Sequence, residues 1–220
     1  RCTICPKNER CELKDTVRFM KLDMTSSFNS PRRALPIHRD DPFYDRDYNL
    51  CIVCARCVRA CDEVRGDTAL SLVSRSGVAL VGTSHGTSLL ESGCEFCGSC
   101  IDACPTGALT ERDYKWEKAS SKVKTVCTNC PVGCELVMNV NDLNKVVRMT
   151  GDLSGEAGHG QACFKGKFGY DYPNHVRRLK YPMVRIDGEL QRTTWGIALE
   201  AASQGLSQHL PEERGGILSP

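Results

Sequence analysis

Two stretches of the chain alternate apolar and polar residues with the two-residue period of a strand. In "ALSLVSRSGVALVG", Leu70 and Leu72 flank Ser71, and Val78 and Leu80 mirror them beyond Ser76 and Gly77, so the segment predicts a β-hairpin. "ELVMNVNDLNKVVRMTGD" predicts a second hairpin, turning near 142–144. Toward the C-terminus the period lengthens. In "TTWGIALEAASQGLSQHLP", Trp195, Ala198, Leu199, Ala202, Leu206 and Leu210 share one helical face. Thr194 is placed to cap that helix and Pro211 to stop it. Elsewhere the pattern dissolves. "MTSSFNSPRRALPIHRDDPFYDRDYN" is rich in Ser, Pro and Asp and reads as a loop draped over neighbouring structure. "WEKASSKVKT", residues 116–125, reads as a polar joint and a domain boundary.

Cysteine occupies the places where the apolar pattern fails. The 220 residues are 40% apolar but only 6% aromatic, so a core is possible and thin, while 15 residues are cysteine. The cysteines fall into four groups. Cys2, Cys5 and Cys11 form the first, Cys51, Cys54, Cys57 and Cys61 the second, and Cys94, Cys97, Cys100 and Cys104 the third. Cys127, Cys130, Cys134 and, after a long gap, Cys163 form the fourth. The second and third groups repeat one spacing, C-x2-C-x2-C-x3-C. A sulfur every third or fourth residue is suited to surrounding something.

Disulfides, zinc and iron–sulfur clusters compete to explain such a count. Disulfides need an oxidising compartment, and no secretory or twin-arginine signal is visible. Zinc sites pair two C-x2-C units per metal, whereas triplets at this spacing are foreign to them. A cubane has four irons, each needing one thiolate; a tight loop can supply three and the fourth must come from elsewhere. Both runs resemble the bacterial ferredoxin signature, whose last cysteine ligates the other cluster. That resemblance implies one cluster on Cys51, Cys54, Cys57 and Cys104 and its neighbour on Cys94, Cys97, Cys100 and Cys61. Cys104 is followed by Pro105, as the signature asks, but Cys61 is followed by Asp62.

For the fourth group alone zinc remains a rival. The stretch from Gly160, "GQACFKGKFGYDY" and then "HVRRLKYPMVRIDGELQRTTWGIALEAAS", resembles the opening of molybdopterin-dependent oxidoreductases. The resemblance implies a [4Fe–4S] cluster on Cys127, Cys130, Cys134 and Cys163, with Lys165 lying between that cluster and the pterin. "CTICPKNERCELKD" resembles a segment of hydrogenases, NAD-linked formate dehydrogenases and the large iron–sulfur subunit of complex I. There a histidine four residues ahead of the first cysteine completes a three-cysteine site. Here it would precede Arg1. All 15 cysteines are then used. Of the five histidines, none of His38, His85, His159, His175 and His209 has ligand spacing.

Taken together the chain resembles the iron–sulfur N-terminal region of the catalytic subunit of an NAD(P)-linked or bifurcating, molybdopterin-dependent formate dehydrogenase, which is related to the large iron–sulfur subunit of complex I. The fold implied is α+β. A cluster segment and loop span 1–44, a two-cluster ferredoxin-like domain 45–118, a molybdopterin-oxidoreductase [4Fe–4S] domain 119–175, and the start of a pterin-binding domain 176–220. Three [4Fe–4S] clusters would be ligated entirely by this chain and a fourth with the external histidine. A Mo or W bis-pterin guanine dinucleotide would sit in the parent protein. The segment would belong to an enzyme while lacking its substrate site, relaying electrons between the pterin and flavin- or NAD-binding and iron–sulfur partner subunits. The alternatives are a complex I-like electron-transfer subunit without pterin catalysis and a zinc scaffold.

Charge adds little. There are 29 basic and 27 acidic side chains, a formal net of +2, so a polyanion partner is not indicated, and Arg177, Arg178 and Lys180 read as a solvated face rather than a nucleic-acid site. No apolar run approaches the roughly 18 residues of a membrane span. A cytoplasmic protein is expected. Neither "RCTIC" nor "GGILSP" reads as a natural boundary, so the chain is expected to be a piece of a longer polypeptide.

Overall fold

A computed structural model describes residues 2–23, 25, 33–75, 78–83 and 86–209. The Ser76 and Gly77 turn, His85, Leu210, Pro211 and residues 26–32 of the expected loop lie outside the described residues. The chain divides into two compact units, Arg1–Asp171 and Tyr172–Pro220.

The first unit opens with tight turns through Cys2 and Cys5 and an amphipathic helix α1 (Glu12–Phe19), with Cys11 at its N-cap. Its centre is built on a short antiparallel pair, β1 (Tyr44–Arg46) with β4 (Leu109–Glu111), in which Tyr44 faces Glu111 and Arg46 faces Leu109. Between these strands the chain runs through two cysteine loops. The first leads into α2 (Arg56–Arg59) and a π-helical turn (Ala60–Val64), the second into α3 (Ser99–Ala103). A hairpin of β2 (Ser71–Arg75) and β3 (Val78–Gly82) separates the loops, as the alternation predicted. Tyr44, Tyr48, Leu50, Leu70, Val81, Leu89, Ile101 and Leu109 form the core together with Cys51, Cys57, Cys61, Cys100 and Cys104. Sulfur therefore supplies a large share of the packed interior.

β1 lies inside the stretch expected to be loop. All three of its residues are buried, two of them charged, so no apolar alternation announces it. The charges are buried in pairs: Arg46 Nε meets Asp41 Oδ2 at 2.7 Å, and Lys115 Nζ meets Asp45 Oδ2 at 2.7 Å. Asp41 also accepts from the Leu89 N–H at 3.1 Å, so its second oxygen is satisfied.

A three-stranded antiparallel sheet follows, in the order β5 (Ser121–Val126), β6 (Glu135–Val140), β7 (Val146–Gly151). β6 and β7 form the second expected hairpin, with Asn144 at φ 56° in its turn. β5 corrects the second half of the 116–125 stretch read as a joint, since residues 121–125 are strand. Its lysines, Lys122 and Lys124, are exposed on an edge strand, where charge blunts pairing with other chains. Leu136, Val146, Met149, Ala162 and Tyr170 pack a second, smaller core beneath this sheet, and α4 (Phe164–Phe168) begins directly after Cys163.

The second unit contains a hairpin, β8 (Met183–Ile186) with β9 (Glu189–Arg192), and α5 (Trp195–Ser207). Thr194 caps α5, its hydroxyl oxygen accepting from the Ile197 N–H at 3.5 Å, and none of the helix's residues is buried. Arg177, Arg178 and Lys180 are exposed.

Candidate iron–sulfur sites

The repeated spacing is also a repeated backbone. In the first loop Val53 and Ala55 adopt left-handed φ values of 56° and 58°; in the second Phe96 and Gly98, at the matching places, adopt 54° and 76°. Placing L-residues there costs roughly 1–2 kcal/mol each. Such strain persists only where the surroundings enforce it. The gain is visible at the sulfurs. The Val53 N–H donates to Cys51 Sγ and the Phe96 N–H to Cys94 Sγ, each at 3.3 Å.

Each loop surrounds a small cavity that the other loop completes. Cys51, Cys54, Cys57 and Cys104 line one, with Tyr48, Val81 and Leu109. Cys94, Cys97, Cys100 and Cys61 line the other, with Tyr44, Asp67 and Leu70. Cys61, carried on the π-helical turn that follows the first loop, reaches across to the second cavity. Cys104, at the end of α3, reaches back. We call these the Cys51 site and the Cys94 site.

Electrostatics decide what such cavities suit. Burial first, then Cys104 and Cys51, push the Cys57 thiol up to about 12; burial pushes Cys94 up to about 11 and raises Cys100 well above the ordinary thiol range. Several thiolates in one low-dielectric space therefore need a strongly cationic centre. Among the described residues no three His, Cys, Asp or Glu side chains converge closely enough to grip one ion. Four sulfurs ringing a cavity fit the four external ligands of a cubane.

The fourth group is more open. Cys134 lies close enough to feel Cys127, Cys130 and Cys163, and the Cys127 N–H donates to the Cys134 carbonyl at 2.8 Å. Cys130 and Cys163 are exposed. Asn129 Nδ2 donates toward Cys127 Sγ at 3.6 Å and to the Lys165 carbonyl at 3.2 Å. The Lys165 side chain itself is exposed. In the first group, Cys5 Sγ accepts from the Gly107 N–H at 3.2 Å, which brings it beside the Cys51 site. Gly107 permits this approach, since a Cβ there would sit 2.5 Å from Pro6 Cδ. His38 pairs its backbone with Arg46 and sets its ring edge-on to Tyr48, a structural role.

Several neighbours of these cavities escaped the sequence. The Tyr44 hydroxyl lies 3.8 Å from both Cys94 Sγ and Cys100 Sγ. Gln161 accepts from the Ser99 hydroxyl, and Ser99 Oγ is 3.5 Å from Cys97 Sγ, which ties the Cys94 site to the segment before Cys163. Lys167, two residues beyond the lysine singled out, is buried, with Nζ 2.6 Å from Asp102 Oδ1 and 3.9 Å from Glu111 Oε1. Glu111 is a hub. Arg10 Nη2 donates to it at 2.7 Å and Arg148 Nε lies at 3.4 Å, so one carboxylate joins the N-terminal segment, β7 and α4. These cations hold Glu111 far below the usual carboxylate range against its own burial.

An α+β chain whose repeated cysteine loops complete each other's cavities defines an iron–sulfur electron-transfer protein of the ferredoxin-like class. Comparison with known proteins makes that particular. Residues 41–110 match the ferredoxin-like domain of NADH-quinone oxidoreductase subunit 3, and residues 120–175 match the molybdopterin oxidoreductase Fe4S4 domain. The chain thus carries two stretches similar to iron–sulfur domains, one of NADH-quinone oxidoreductase and one of molybdopterin oxidoreductases. It is 33% identical to NADH-quinone oxidoreductase subunit 3 of Thermus thermophilus, an alignment covering 97% of this chain and 29% of that protein. Against the NADPH-Fe(3+) oxidoreductase subunit alpha of Geobacter sulfurreducens the identity is 31%, with 100% and 26% covered. A Staphylococcus haemolyticus protein named provisionally as a formate dehydrogenase is 27% identical over 98% of this chain and 26% of its own length. The chain spans about a quarter of the length of the curated relatives it matches.

Proposed function

We propose that this segment is the electron relay of a formate dehydrogenase-like, NAD(P)-linked oxidoreductase in the cytoplasm. Cys51, Cys54, Cys57 and Cys104 would hold one [4Fe–4S] cluster, Cys94, Cys97, Cys100 and Cys61 a second, and Cys127, Cys130, Cys134 and Cys163 a third. Cys2, Cys5 and Cys11 would contribute to a fourth with a ligand from outside the chain. The modules would be 1–44, 45–118, 119–175 and 176–220, and Lys165 would lie between the third cluster and a Mo or W pterin held elsewhere in the parent protein.

When bound, each cubane takes up and releases one electron at a time. Leu50, Leu70, Val81, Leu89 and Ile101 keep water from the sulfurs. Backbone N–H groups of Val53 and Phe96 stabilise sulfur charge. Gly107 brings the first cysteine group to the Cys51 site, and Ser99 with Gln161 brings the Cys94 site to the segment before Cys163. Flavin- or NAD-binding subunits would meet the N-terminal end of this series.

The observation that carries the reading is the crossing of Cys61 and Cys104 between the two cavities. The test is anaerobic metal analysis and EPR of the intact protein. About sixteen irons are expected in the intact parent, at four per cubane, about twelve of them from the three four-cysteine sites, with very little zinc. A folded, colourless protein carrying stoichiometric zinc would refute it. The identities to NADH-quinone and NADPH-Fe(3+) oxidoreductase subunits favour a second reading, an electron-transfer subunit without pterin catalysis. Molybdenum or tungsten content and bleaching or reduction by formate separate the two.

A further inference from the structure

Tyr44 is 0% exposed, and Phe96 and Phe168 flank its ring, each with its centroid 6.1 Å away. A phenylalanine would fill that space. A buried hydroxyl is costly without a hydrogen bond, and the partners this one reaches are the sulfurs of Cys94 and Cys100, both at 3.8 Å. Thiolates accept and cannot donate, so once those sulfurs are ionised the phenol must be the donor. A second tyrosine, Tyr48, lines the Cys51 site, but its oxygen accepts from Arg46 Nη1 at 3.4 Å. Two related cavities thus each carry a tyrosine, and only one directs its hydroxyl at sulfur.

We propose that Tyr44 is a potential-setting residue: its single O–H, shared between the Cys94 and Cys100 sulfurs, raises the reduction potential of the Cys94 site relative to the Cys51 site. The sign follows from charge. Reduction adds an electron to an anionic centre, and a donor aimed at its sulfurs stabilises the more negative state more strongly. Asp67, which lines the same cavity, acts in the opposite sense as a carboxylate. The proposal rests on the ligand assignment above.

The experiment is an EPR-monitored redox titration of the intact, cluster-loaded protein, with the Cys94-site signal identified as the one lost in Cys97→Ser. Tyr44→Phe is expected to lower that midpoint while the other signals and the iron content stay as in wild type. A tenfold fall in the reduction equilibrium corresponds to about 59 mV for one electron, and a shift of that order is expected. Tyr48→Phe is expected to leave the Cys94-site midpoint in place. An unmoved midpoint in Tyr44→Phe at full iron content overturns the proposal, as does an equal shift in Tyr48→Phe. If Tyr44→Phe fails to load, a fluorinated tyrosine at position 44 decides: its more acidic O–H should raise the midpoint, and no change or a fall refutes the role. Absence of any Cys94-site signal in wild type would instead overturn the ligand assignment.

Discussion

Replacing Glu111 by Gln keeps the shape of the side chain and removes its charge. Glu111 is 3% exposed and stands among Arg10, Arg148 and Lys167 at 2.7, 3.4 and 3.9 Å. The variant leaves these cations facing a neutral amide. Arg148 suffers most. It is 5% exposed, its Nε has no hydrogen-bond partner, and Glu111 is the carboxylate beside it. Removing one partner of a buried ion pair costs about 3–5 kcal/mol, a large fraction of the roughly 5–15 kcal/mol that holds a domain together. Lys167→Met should cost less, on the order of 1–2 kcal/mol, because Glu111 keeps two arginines and Asp102 can be rehydrated. The folded protein holds the Glu111 pKa far below its ordinary 4.5, so the stabilisation is complete above pH 4.5 and erodes as pH falls toward the folded value. Anaerobic urea unfolding of the cluster-loaded protein at pH 7, followed by far-UV circular dichroism, therefore reads the full difference. A Glu111→Gln variant within about 0.5 kcal/mol of wild type would refute the claim that this carboxylate binds the three segments together; such small effects are typical of ordinary surface sites.

Further outcomes rest on the same geometry. Cys61→Ala should abolish the EPR signal of the Cys94 site and remove about four irons while sparing the Cys51 site; loss of the Cys51 signal alone would contradict the crossing. Gly98→Ala should destabilise more than Gly66→Ala in thermal melts. Both glycines have positive φ, 76° and 70°, but only the Gly98 substitution drives a Cβ to 2.7 Å from Lys167 Cγ, whereas Gly66 meets nothing within 4 Å. Equal losses would mean that Lys167 yields freely. Stripping iron with a chelator under reducing conditions should remove amide-exchange protection from β1 and β4, whose core is shared with five cysteines, before it affects the β6 and β7 hairpin.

Much of this is legible in the amino-acid pattern. Regular alternation announced β2 with β3 and β6 with β7, and the 3.6-residue period with Thr194 announced α5. The cysteine spacing likewise matched the residues that ring the cavities. The hidden elements had no local signature. β1 and β4 are three residues each, too short for periodicity, and Asp45, Arg46 and Glu111 are charged residues whose burial depends on partners far along the chain. β5 was hidden by the lysines that suit an edge. Tyr44 sat in a stretch that its Asp, Arg and Pro neighbours marked as loop, and only the fold brings it to Cys94 and Cys100. Lys167 differs from Lys165 by two positions, which on a short helix turns one lysine inward and leaves the other in solvent.

The exchange of Cys61 and Cys104 also bears on how the protein is made. A ribosome that has released residues 51–61 has delivered three sulfurs for one cavity and a single sulfur for the other; the Cys94 ring cannot close until residue 100 has emerged, nor the Cys51 ring until residue 104 has. Complete ligation of either cavity must then await the second loop, more than thirty residues further along the nascent chain.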